Sequence, residues 1–298
     1  MERFRGAIAV FVGAASFGIL STFVKLAYAE NFTLGEVTGV QVLFGTVMLW
    51  LLYGLRSLKK AKAYPKKTNK VKILLAGVST GVVSILYYKC VALVPASIAI
   101  VLLMQFIWIG ALVNFVVFKQ KPTKKQFLGI VGILLATLLA TGVFEATIKT
   151  INPLGIVYGM LAATAYTVFI IVNGKVGNDY PPVQKSALMV TGACIFVFTI
   201  LQPFDLIMLK SDSGIIYYGL LLSLFGTVLP PLLFAYGMPK IDIALGGILS
   251  AVELPVAVLM SYSILSESVS LLQWLGVISI LAVVVWINSP LKLQHSQQ

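Results

Sequence analysis

Apolar residues fall in ten runs, each long enough to cross a bilayer as a helix and each closed by a short polar connection. The runs cover roughly 6–29, 33–55, 71–94, 96–118, 126–143, 153–173, 185–203, 215–237, 243–265 and 271–288. Several connections are very short, among them Val94-Pro95 and the turn from Pro239 to Asp242, so consecutive helices must be antiparallel neighbours. The longest polar connection, Arg56 to Lys72, is a basic loop, and no domain linker interrupts the series. The expectation is an all-α membrane protein of ten transmembrane helices.

Composition agrees with the pattern. The 298 residues are 59% hydrophobic and 11% charged, with a mean hydropathy of +0.99. Soluble domains carry about 25% charged residues, which excludes that class. A net charge of +12 invites a nucleic-acid partner, but the basic residues sit between apolar runs and form no stripe on a soluble domain. No nucleic-acid partner is therefore expected. Cys90 and Cys194 fall inside apolar runs and His295 lies in the polar tail, so neither a metal site nor a catalytic triad can be assembled. No Gly-rich phosphate loop is present, and no cofactor is expected. The first run is too long for a signal-peptide core and is expected to remain as the first membrane helix.

Loop charge sets the orientation. Of the 22 lysines and arginines, 18 lie at the two termini and in the second, fourth, sixth and eighth loops, while the odd-numbered loops hold only Lys149 and Lys210. By the positive-inside rule both termini and the even loops face the cytoplasm, in a bacterial inner membrane.

The chain also repeats. A shift of 147 residues without a gap lays Asn31 on Asn178, Gly45 on Gly192, Gln126 on Gln273 and Gly129 on Gly276, and KPTKKQFLGIVGI on SVSLLQWLGVISI. Residues 1–146 and 147–298 thus form two five-helix repeats. An odd number of helices in each inverts the second copy, an organisation typical of secondary transporters.

These residues carry a family likeness. The two five-helix units, Phe17-Gly18 ahead of Lys25, and ELPVAVLMSYSILSE ending at Glu267 before QWLG resemble the EamA-type domains of the drug/metabolite transporter superfamily. The first repeat departs from that pattern, with Gln120 where Glu267 lies and Trp108 where Pro255 lies. The resemblance implies a ten-helix exporter or exchanger whose first, third, fourth, sixth, eighth and ninth helices line a central cavity.

Within the ninth run Gly246, Ser250, Glu253, Ala257 and Ser261 share one face, and no other apolar run contains an acidic residue away from its ends. Glu253 lies ten residues in from Ile243, about 15 Å along the helix and near the middle of a bilayer core. A carboxylate there costs a few kcal/mol unless it meets a partner, water or a proton. Pro255, two residues on, removes a backbone donor and suits a bent helix beside a cavity. Glu253 either binds a substrate amine or carries a coupling proton, or it pairs within the bundle as a packing residue. Its repeat counterpart is Phe106, so the fold's symmetry does not require an acid.

Other runs offer further stripes. Tyr166 and Asn173 lie with Gly159, Ala162 and Phe169 in the sixth, and Gly77, Gly81, Ser84 and Tyr88 share a face in the third, with Lys89 turned about 100° away. Lys25, below Ser21 and Gly18 in the first run, either snorkels or recognises an anion. Gln105 and Trp108 present an amide and an aromatic wall to substrate, or pack. Pro230 and Pro231, ahead of Tyr236, form either a gate or a packing kink. The reading is a secondary transporter in the lipid bilayer, exporting a small amino-acid-like or amphipathic metabolite by alternating access with protons as the coupling ion. The alternatives are a nutrient uptake permease and, in another class, a membrane-embedded enzyme or scaffold.

Overall fold

The computed structural model describes residues 1–57, 67–94, 96–140, 152–203, 213–266 and 268–288. Pro95, Lys149, Lys210, Glu267 and His295 lie outside the described residues.

Ten helical spans follow in chain order. They are α1 (Glu2–Ala29), α2 (Leu34–Ser57), α3 (Lys70–Leu93), α4 (Ala96–Met104 and Phe106–Phe118) and α5 (Lys124–Ala140). The second half continues with α6 (Pro153–Lys175), α7 (Pro182–Leu201), α8 (Ser213–Leu222 through Leu229–Gly237), α9 (Ile243–Ser250 and Glu253–Ile264) and α10 (Leu271–Asn288). Eight are long and apolar enough to cross a membrane by length and composition alone, while α5 and α10 are shorter within the described residues. Leu128, Leu135, Ile278 and Val285 on those two helices are exposed, as lipid-facing residues should be.

Local chemistry starts the helices where the apolar runs begin. Asn69, Asn152 and Asp242 accept hydrogen bonds from the amides of Val71, Leu154 and Leu245, satisfying donors that a helix start leaves open. Pro153 and Pro182 occupy first-turn positions where a missing N–H costs nothing.

The two halves are built alike. Thr123 and Gln126 cap α5 reciprocally, and Ser270 and Gln273, each 147 residues later, cap α10 the same way. Lys119 and Ser266, again 147 apart, both adopt positive φ just after the fourth helix of their repeat (57° and 53°). Packing repeats as well. α1 packs on α8 and α9 as α6 packs on α3 and α4, while α2–α7, α4–α9 and α5–α10 each pair a helix with its counterpart in the other repeat. A Cβ at Gly129 would strike Ile287, and one at Gly276 would strike Ala140, which is Ile287's counterpart. Gly45 and Gly192 likewise lie against Thr227 and Leu74 on the neighbouring repeat. Such glycines let helix backbones approach where lipid offers no hydrophobic drive to association.

Both fourth helices are broken at the same repeat position. α4 is interrupted at Gln105 and α9 at Ala251-Val252, so that Phe106 and Glu253 each begin a second half-helix. In α9 the cause is Pro255, which cannot donate to Ala251, leaving that carbonyl to the closer amide of Leu254. In α4, which has no proline, the Gln105 amide group bonds the Val101 carbonyl.

Candidate functional site

A cavity of about 60 Å³ lies between the repeats, lined from α1, α2, α3, α4, α6, α8 and α9. All six helices implied by the family likeness contribute. Gln41 of α2 adds a seventh, which the sequence reading did not include.

Glu253 projects into this space from the start of the second half of α9. Gly18 makes that position possible, because a Cβ there would strike the Glu253 carbonyl and Val256. The Tyr166 hydroxyl donates to Glu253 Oε2 at 3.4 Å. Among the described lining residues Glu253 is the sole carboxylate and none is basic. A charge in such a setting must be matched by something that enters the cavity, a cation or a proton.

Aromatic rings cluster at the side of the cavity toward the face that carries the basic loops. Phe17 meets Tyr166, Phe169 and Phe234 edge-on at 5.9–6.0 Å, and Phe106 meets Tyr166 at 4.6 Å. Phe169 and Phe234, both fully buried, each lie six residues from the basic end of their helices at Lys175 and Lys240.

The opposite side is built differently. Tyr88 lies 18 residues along α3 from Lys70, and its hydroxyl donates to Gln41 Oε1 at 3.0 Å. The Gln41 amide group donates onward to Thr227 Oγ1 at 3.1 Å, and Ser223 donates to the Gln41 carbonyl at 2.8 Å. Ser223–Val228 form a π-helical turn in α8, and Gly226 within it faces the cavity. Pro230 and Pro231 just after it withhold donors from the Gly226 and Thr227 carbonyls, which accounts for the widened turn. Ser16 donates to the Phe225 carbonyl in the same turn at 2.7 Å.

The remaining sequence candidates lie elsewhere. Lys89 packs over the Tyr158 ring at 5.4 Å and lines a separate vestibule, away from Glu253. Lys25, one turn beyond Ser21 on α1, is not among the lining residues. Gln105 Oε1 accepts from Trp108 Nε1 at 2.8 Å, and Trp108 is an exposed residue on the outer surface. Asn173 is fully buried near the basic end of α6, bonding Phe169, and Lys185 donates to its carbonyl at 2.7 Å. Tyr236 stacks under Lys240 at 3.3 Å at that same face.

Comparison with known proteins decides the family. The model of the EamA-like transporter family matches residues 4–142 and 153–289. The chain belongs to that family. It is a multi-pass membrane protein of a transporter family, with two copies of the EamA unit. A solved crystal structure aligns with 95% of this chain and 98% of its own at a TM-score of 0.73 and 13% identity, a likeness of fold alone. It is one of 28 solved chains that match. No curated protein matches.

Proposed function

We propose that the chain is a proton-coupled secondary transporter of the bacterial inner membrane that exports a small amphipathic or amino-acid-like metabolite by alternating access. The observation that carries the reading is Glu253, a lone carboxylate in an aromatic cavity between two five-helix repeats. In the inverted arrangement that five helices per repeat imply, a rocking motion exposes the midplane cavity to each side in turn. With no basic residue in the lining, a proton and a cationic substrate group compete for one carboxylate, and that competition is the coupling. A cavity of about 60 Å³ holds a few water molecules, so a metabolite enters only when the helices part. The concentration of lysine and arginine on one face supports cytoplasmic termini.

Vesicles containing the purified protein, loaded with labelled amino acids and amines, test the reading under an imposed pH gradient. Gradient-driven flux of at least one solute is expected, falling more than tenfold in Glu253→Gln. Absence of flux for every solute, with or without the gradient, overturns transport; full proton-driven flux in Glu253→Gln overturns the role of that residue.

A further inference from the structure

Beyond Tyr88, at the face opposite the basic loops, a vestibule of about 470 Å³ opens between the ends of α1 and α3 and the start of α6. Tyr88 lines both this vestibule and the Glu253 cavity, so one aromatic side chain is a wall common to the two. The chemistry on its two sides is opposite. Among the described residues the inner cavity holds one carboxylate and no base, whereas the vestibule holds one base, Lys89, and no acid.

Three features of the vestibule point to a ligand. Its other walls among the described residues are apolar or aromatic, with Phe32, Leu154 and Tyr158 among them, so the Lys89 ammonium has the face of Tyr158 beside it and no described carboxylate in the lining. Tyr28 also lines the space, and its hydroxyl is buried without a hydrogen-bond partner among the described residues. A buried hydroxyl in that condition costs free energy until an acceptor arrives. A carboxylate accepts from an ammonium and a hydroxyl together, and the surrounding rings suit an apolar body attached to it.

We propose that this vestibule is a second solute site, binding an amphipathic organic carboxylate through Lys89 and Tyr28, on the far side of Tyr88 from Glu253. Its biological sense rests on the transporter reading, but the site is tested by equilibrium binding, so the two fail separately. On that reading a solute moving outward leaves a site that attracts its cationic end and meets one that attracts its anionic end.

The test is equilibrium dialysis of labelled phenylacetate against the purified full-length protein in detergent, with phenethylamine as the charge-reversed control. Saturable phenylacetate binding is expected, weakened at least tenfold in Lys89→Met, retained in Lys89→Arg and weakened severalfold in Tyr28→Phe. Phenethylamine binding should be insensitive to Lys89→Met. Size-exclusion profiles identify any variant that fails to fold, and Tyr28→Phe, which removes only one oxygen, keeps the test decisive if Lys89→Met does. Absence of saturable phenylacetate binding to the wild type, or equal affinity in the wild type, Lys89→Met and Tyr28→Phe, overturns the proposal.

Discussion

The Tyr166 hydroxyl on α6 reaches across to Glu253 on α9, 3.4 Å away, and is the one hydrogen-bond donor the fold brings to that carboxylate among the described residues. Tyr166→Phe removes the donor and leaves the ring packed against Phe17, Phe106 and Phe169. The expected result is an initial flux about threefold lower in proteoliposomes, with thermal stability in detergent unchanged, since a bond of this length contributes at the lower end of the usual range. An unaltered flux would mean that the contact has no part in transport.

Gly18 holds α1 against the break in α9. Its substitution by alanine forces a methyl group into the Glu253 carbonyl and the Val256 side chain. Overpacking of this kind costs about 1–3 kcal/mol, and the displaced atoms belong to the residue at the centre of the site. Gly18→Ala should therefore lower both melting temperature and flux, whereas alanine at Gly54, which has nothing within 4 Å, should change neither.

Lys185 is fully buried at the start of α7, with its ammonium donating to the Asn173 carbonyl at 2.7 Å and to Asn178 Oδ1 at 2.8 Å. It ties the end of α6 to the loop that follows. Lys185→Met keeps the volume but leaves both oxygens without this donor, and should destabilise the protein by roughly 1–3 kcal/mol in thermal or denaturant melts.

Asp179 lies in the same loop and accepts from the Lys67 and Thr68 amides and the Thr68 hydroxyl, fastening the first repeat to the second on the basic face. The Thr68 contacts hold its carboxyl below the usual range, at about 2. A folded value below the unfolded one means the contribution is complete above about pH 4 and disappears as pH falls through 2. Asp179→Asn should lower the melting temperature at pH 7 by about 2 °C, the small end expected for a partly exposed group, with the difference from wild type closing below pH 4.

Much of this architecture was legible from spacing. The ten apolar runs coincide with the ten helical spans, and the 147-residue shift reappears in capping pairs and helix contacts. Helical periodicity also separated Tyr88 from Lys89: both line the vestibule, but of the two only Tyr88 also lines the Glu253 cavity. What periodicity lacks is depth. Asn173 and Tyr166 share a stripe on α6, yet only Tyr166 stands at the level of the cavity, two turns from the end where Asn173 is buried. The break in α4 was hidden, because an interruption at Gln105 leaves the apolar run unbroken, whereas Pro255 announced the bend in α9. One such break precedes Trp108, which faces outward. Gln41 did leave a signal, a lone amide within an apolar run, but nothing in the sequence indicated that Tyr88 and Thr227 would meet it.

The contacts of Gly129 with Ile287 and of Gly276 with Ala140 are one contact made twice. Interfaces in which residue i meets j while j meets i are the mark of two identical subunits around a dyad. In a dimer of identical five-helix chains such a seam would present every residue at the cavity in duplicate, and two carboxylates would face one another. One chain that carries both repeats is free of that constraint: a phenylalanine, Phe106, stands in the role of Glu253's twin, and Glu253 is the sole carboxylate among the described residues that line the cavity.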